Sequence, residues 1–143
     1  MKKNLIKIYA DGSLSVNPKR RAWTYIVEQN NEIIEVKSKT FKTGSSTRME
    51  LEPVIVALEK YADMQAIVYT DYSTLVEAIT TDLLERWNDL HWNRLGGGKL
   101  QHWGLWSRLY KTMKHRHVSA EFVQKNSFHA IAHKTSYMLA TVK

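Results

Sequence analysis

The sequence predicts an α/β domain, a mixed five-stranded sheet whose central first strand pairs parallel to the fourth, with helices on both faces. Three observations carry this. Period-two hydrophobicity fills most of residues 5–41, the period turns helical over Leu51–Leu58, and strand-like runs then alternate with helical stretches. A strand reached through a helical crossover runs parallel to the strand before it, whereas strands joined by short polar turns pair antiparallel.

The first strand is read from "IKIYADGS" (6–13), where Ile6, Ile8 and Ala10 share one face and Lys7, Tyr9 and Asp11 the other. Taken alone, Asp11-Gly12 reads as a turn that ends the strand, since Asp bonds its own backbone and Gly tolerates positive φ. "AWTYIVEQ" (22–29) and "IIEVKSKTF" (33–41) flank the polar Asn30-Asn31-Glu32, short enough for a hairpin, and complete an antiparallel meander with residues 5–11. Leu51, Val54, Ile55 and Leu58 recur at i, i+3, i+4 and i+7, one face of a helix. Pro53 predicts that this helix either begins near Glu50 or is kinked from an earlier start.

"AIVYTD" (66–71) follows as a strand and again ends in an acid. Ser73 to Trp92 reads as helical with a break near Thr80-Thr81-Asp82, where Thr or Asp can cap a new helix. The consecutive glycines of "NRLGGGKLQHW" predict a loop. Trp106, Leu109, Tyr110 and Met113 restore helical spacing, "HVSAEFVQ" (117–124) is a fifth strand, and Ile131, Met138, Leu139 and Val142 predict a closing helix.

Composition bounds the function. With 143 residues and 43% apolar content, the chain suits a single domain over residues 1–143 with a real core. The absence of cysteine removes disulfides and thiolate metal sites. The opening "MKKNLIKIYADG" has an apolar run interrupted by Lys7 and too short for a signal peptide or a span, so the expectation is a soluble, cytoplasmic protein without a membrane partner. Lys and Arg number 21 against 14 acids, and this +7 balance favours a polyanionic partner.

Acids recur at one kind of place. Asp11 ends the first strand, Asp71 ends the fourth, and Glu50 opens the first long helix. If the two strands are neighbours, their carboxyl ends bring two carboxylates together, and the helix crossing that sheet adds the third. Anions about 4 Å apart repel by roughly 4 kcal/mol in protein surroundings, a cost that a divalent cation removes. An all-oxygen donor set points to Mg²⁺ or Mn²⁺, ions that serve phosphoryl chemistry on such sites.

At these residues the chain resembles the type 1 ribonuclease H family, within the ribonuclease H-like superfamily. The matching pieces are "YADGS" (9–13) with Asn17-Pro18, "TRMELEPVIVALE" (47–59), "YTDYS" (69–73) and "GLWSRL" (104–109), in order over nearly the whole chain. The resemblance implies a ribonuclease H-like fold of strand order 3-2-1-4-5. It also implies an endonuclease, a hydrolase that cuts the RNA strand of an RNA–DNA hybrid with two Mg²⁺ (or Mn²⁺) ions held by Asp11, Glu50 and Asp71. Asn17, Ser46 and Thr47 fall where the family contacts the hybrid, and a side chain that bonds a 2′-hydroxyl distinguishes RNA from DNA. Arg48 is a phosphate contact or a brace for the helix start. No obligatory protein partner is implied, and a monomer is expected.

The last third departs from the pattern. Aligning Leu139-Ala140 with the family's Leu-Ala puts Tyr137 at the fourth acidic position, and a phenol is a poor Mg²⁺ ligand at neutral pH. His129 is the candidate for the family's loop histidine and thus a catalytic residue, with Asn126 and His133 as alternatives. Arg86, Trp87, His91, Trp92, Arg94, Lys99, His102 and Trp103 resemble the basic protrusion with which some family members grip DNA, with Trp92, Arg94 and Lys99 as the nucleic-acid contacts. The competing reading makes Trp87, Trp92 and Trp106, at helical spacing, part of the core. Lys19, Arg20 and Arg21 add charge beside the cleft or form a solvated loop. An alternative function follows from the missing acid: a ribonuclease H-like domain that binds nucleic acid with weak or no cleavage. A DNA-acting resolvase or transposase-like nuclease on the same fold fits "TRMEL" and "YADGS" less well.

Overall fold

The computed structural model describes residues 4–14, 21–123 and 132. Strands β1 (Leu5–Leu14), β2 (Arg21–Gln29) and β3 (Glu32–Phe41) form the meander. Helix α1 (Ser46–Lys60) leads to β4 (Gln65–Thr70), followed by α2 (Ser73–Thr80), α3 (Leu83–Asp89), α4 (Trp103–Met113) and β5 (Val118–Phe122). The five strands lie in the order β3-β2-β1-β4-β5, with β1 antiparallel to β2 and parallel to β4, as the sequence predicts.

Local chemistry explains several element ends. The β2–β3 hairpin turns on Asn30 and Asn31, both at positive φ (53° and 67°), a conformation that asparagine tolerates and that matches the twist of the flanking strands. α1 opens at Ser45, whose hydroxyl accepts the Arg48 N–H at 3.1 Å. The predicted break between α2 and α3 is present, and Thr81 Oγ1 accepts the Leu83 N–H at 3.2 Å across it. The glycine loop is closed: Arg94 N–H donates to Gly98 O and Leu100 N–H to Trp92 O, each at 2.8 Å.

One expectation needs correction. β1 does not end at Asp11; it continues to Leu14, with Asp11 paired to Thr24 and Gly12 to Trp23, so Asp-Gly is not a turn here. Of the two starts that Pro53 allows, the earlier one holds: α1 starts at Ser46 and carries Pro53 in its interior, where the ring supplies no N–H to the Met49 carbonyl.

The core lies between the sheet and α1. Met49, Leu51, Val54, Ile55 and Leu58 are buried with Ile6, Ile8, Trp23, Tyr25, Val27 and Val68. On the opposite face Tyr9 and Ile26 are buried with Ala132. The predicted closing helix otherwise lies outside the described residues. At the far end of α1, Arg116 donates to the carbonyls of Leu58, Tyr61 and Met64 and locks the helix end to the approach to β5.

Candidate active site

Sheet register brings two of the acids together. The β1–β4 pairing runs in parallel up to Tyr9 opposite Tyr69. Two residues further along each chain, on the same face by the alternation of strands, come Asp11 and Asp71. Asp11 is buried, because β1 continues past it against β2, while Asp71 lies just beyond β4 and is exposed. Glu50 reaches the same point from the start of α1, and its Oε1 accepts the Gly12 N–H at 3.2 Å.

Gly12 makes that approach possible. A Cβ there would lie 2.6 Å from Met49 Cβ and 2.7 Å from the Met49 carbonyl carbon and oxygen, distances no side chain can occupy. The glycine is required for a helix lying against a strand, not for a turn.

Asp11, Glu50 and Asp71 each present a carboxylate oxygen, all within 4.8 Å of one another. Burial, then the charges of Asp11 and Asp71, push the Glu50 carboxyl up to about 9, with only the Gly12 N–H acting the other way. A converging set of hard oxygens in which burial and neighbouring charge lead one acid to hold a proton fits a divalent cation such as Mg²⁺ or Mn²⁺.

The other predicted residues divide. Ser46 and Thr47 lie one helical turn before Glu50, four and three residues ahead of it, and both reach the surface. Arg48 braces the start of α1: its guanidinium bonds Glu52 at 3.1 and 3.4 Å and stacks 4.4 Å over Phe41, with its side chain still 35% exposed. Trp92 is corrected. Only 8% exposed, it packs edge-on against Tyr110 with ring centroids 5.9 Å apart, and it belongs to the core with Trp106. Arg94 and Lys99 are exposed. Arg21 donates to Gly44 O at 2.9 Å and braces the loop before α1. Asn17, Lys19, Arg20, Asn126, His129, His133 and Tyr137 lie outside the described residues.

Two neighbours carry more weight than their spacing suggested. Trp103 is 43% exposed, with Lys99 Nζ 4.9 Å from its ring, and Lys99 also donates to His91 O at 2.8 Å. His102, in left-handed conformation (φ 60°), lies 3.1 Å through Nε2 from Ser45 Oγ and ties this segment to the start of α1. No local signal pairs positions so distant in the chain.

The RNase H family model matches residues 3–136. The chain is 32% identical over 128 residues to ribonuclease H of Trichodesmium erythraeum, covering 88% of this chain and 80% of that one. It is 29% identical over 142 residues to ribonuclease H of Prosthecochloris aestuarii, covering 96% and 94%. Among solved structures it resembles LC9-RNase H1, a type 1 RNase H with the type 2 active-site motif, at a TM-score of 0.80 and 18% identity over 99% of this chain and 74% of that one. The PFV RNase H domain superposes at a TM-score of 0.76 and 11% identity, covering 97% and 94%.

Proposed function

The chain belongs to the ribonuclease H family, and from that premise we propose that it is a metal-dependent endonuclease that hydrolyses the RNA strand of RNA–DNA hybrids. The observation that carries the reading is the convergence of Asp11, Glu50 and Asp71 within 4.8 Å from a strand, a helix start and a strand end. These three acids would hold Mg²⁺ or Mn²⁺. The chemistry that a pair of such ions supplies is in-line hydrolysis, by activating water for attack on phosphorus and neutralising charge on the departing 3′-oxygen.

The chain's own residues hold, orient and discriminate. The sheet fixes Asp11, and the Gly12 N–H fixes the Glu50 carboxylate in register with it. Asp71, on the open side, leaves room for the phosphodiester to enter from solvent. Ser46 and Thr47 offer hydroxyls one turn from Glu50, suited to a ribose 2′-hydroxyl, with Asn17 as their partner in sequence. Arg94 and Lys99 supply charge for backbone phosphates. His129 would assist proton transfer or product release from the segment after β5.

The test is a labelled RNA–DNA duplex incubated with Mg²⁺ or Mn²⁺. The native chain should cut the RNA strand, and Asp71→Asn should abolish cutting while still binding the hybrid. Binding without cutting by the native chain in either metal would instead establish a nucleic-acid-binding domain. Cleavage that survives Asp71→Asn would remove the three-carboxylate mechanism.

A further inference from the structure

Away from the acids, α3 and the glycine loop enclose a groove of about 600 Å³, within the range of roughly 300–1,000 Å³ typical of ligand clefts. Its lining is mainly aliphatic and aromatic: Leu83, Trp87, Leu90 and Leu100, with Leu95 at the loop tip. Leu95 is 93% exposed and Leu90 42% exposed. Neighbouring exposed leucines beside an apolar cleft mark an interaction site more than a solvated loop.

The groove is built rather than incidental. Trp87, which lines it, packs edge-on against Trp106 at 5.2 Å. The loop is held by the Arg94–Gly98 and Trp92–Leu100 backbone bonds, and by the Asn93–Lys99 bridge. Arg86 and Arg94 line it against a single acid, Asp89. Arg86 pairs with Asp82 at 3.1 Å, but with side chains 60% and 73% exposed that pair contributes little and is free to exchange.

We propose that this groove docks a partner protein through a short amphipathic segment that places bulky apolar side chains in the cleft and acidic side chains against Arg86, leaving Arg94 to the hybrid backbone. Charge selects that occupant. A second copy of the chain would bring the same two arginines and a net charge of +7. Nucleic acid gains little from a leucine-lined cleft, since sugar and phosphate want hydrogen bonds and bases want flat aromatic faces. An acidic segment with leucine or phenylalanine at helical spacing satisfies both the lining and the rim.

The test is selection from a displayed random dodecapeptide library on the intact protein, with counter-selection on Leu95→Ser, followed by titration of the enriched peptides as synthetic fluorescent probes. Enriched sequences should combine acids with bulky apolar residues. Leu95→Ser and Leu90→Ser should each weaken their binding at least tenfold, and Arg86→Glu should do the same, with melting temperature and hybrid affinity unchanged for the leucine variants. Enrichment of basic sequences, or of none, would overturn the proposal. So would a loss of hybrid affinity in Leu95→Ser, which would assign the groove to nucleic acid, or concentration-dependent dimerisation abolished by Leu95→Ser, which would assign it to a second copy.

Discussion

The Gly12 N–H points at Glu50 Oε1 from 3.2 Å, so the strand carrying the first acid is tied to the side chain of the second by a backbone-to-carboxylate hydrogen bond. The contact exists only because Gly12 has no side chain, since a Cβ would fall 2.6 Å from Met49 Cβ. Gly12→Ala should therefore push the first turns of α1 off the sheet. The expected cost is about 1–3 kcal/mol of stability, as for other overpacked core positions, with a larger fractional loss of cleavage because Glu50 moves with the helix. Thermal denaturation and single-turnover cleavage on the same preparation check both halves.

The metal-free protein should lose stability as pH rises. Glu50 has its folded value pushed to about 9 against an ordinary 4.5, so the folded chain holds a proton that the unfolded chain releases. The stabilising contribution of that proton is complete below about 4.5 and lost progressively as pH climbs through about 9. Melts in chelator from pH 5 to 9 should slope downward, Glu50→Gln should flatten the slope, and added Mg²⁺ should restore stability most at the alkaline end. A flat native profile in chelator would mean that Glu50 is not held protonated by its burial and by the neighbouring charges of Asp11 and Asp71.

Two tryptophans eleven residues apart should respond oppositely. Trp92, 8% exposed, is core, and Trp92→Ala should cost about 3–5 kcal/mol of stability. Trp103, 43% exposed beneath Lys99, should leave the melting temperature nearly unchanged when replaced by Ala while weakening hybrid binding by about 1–3 kcal/mol. Calorimetry and equilibrium binding at fixed salt separate the two.

That pair also marks the limit of what the sequence reveals. The meander, the first helix and the recurrence of three acids were legible because period-two runs, an i, i+3, i+4, i+7 stripe and an acid closing each apolar alternation are local patterns, whereas the strand order rested on the family resemblance. Which tryptophan faces solvent was not, since left-handed residues at His91, Trp92 and His102 redirect the chain within the segment. Gly12 misled for a related reason: a glycine needed for a tertiary approach looks, in sequence, like a glycine needed for a turn. Pro53 left two starts open for α1, and the Ser45 cap with the packing of Met49 and Leu51 sets the earlier one despite the missing backbone donor. Arg48 stands between two readings in sequence, and the contact with Phe41 that favours bracing is a tertiary one.

The last prediction concerns Tyr137, outside the described residues and assigned by its register with Leu139-Ala140. If it occupies the fourth acidic position, the cluster has three anionic ligands where the family pattern has four, and Tyr137→Asp adds a hard oxygen. Mg²⁺ affinity should rise, and so should cleavage at limiting Mg²⁺. The gain should shrink at saturating Mn²⁺, where three carboxylates already suffice to hold the ion. The matched control is Tyr137→Asn, similar in size to Asp but neutral. If Asn raises cleavage as much as Asp, the effect comes from removing the bulk of the ring rather than from restoring a charge. If neither changes metal affinity, Tyr137 does not border Asp11, Glu50 and Asp71, and the register of the carboxyl-terminal segment must shift.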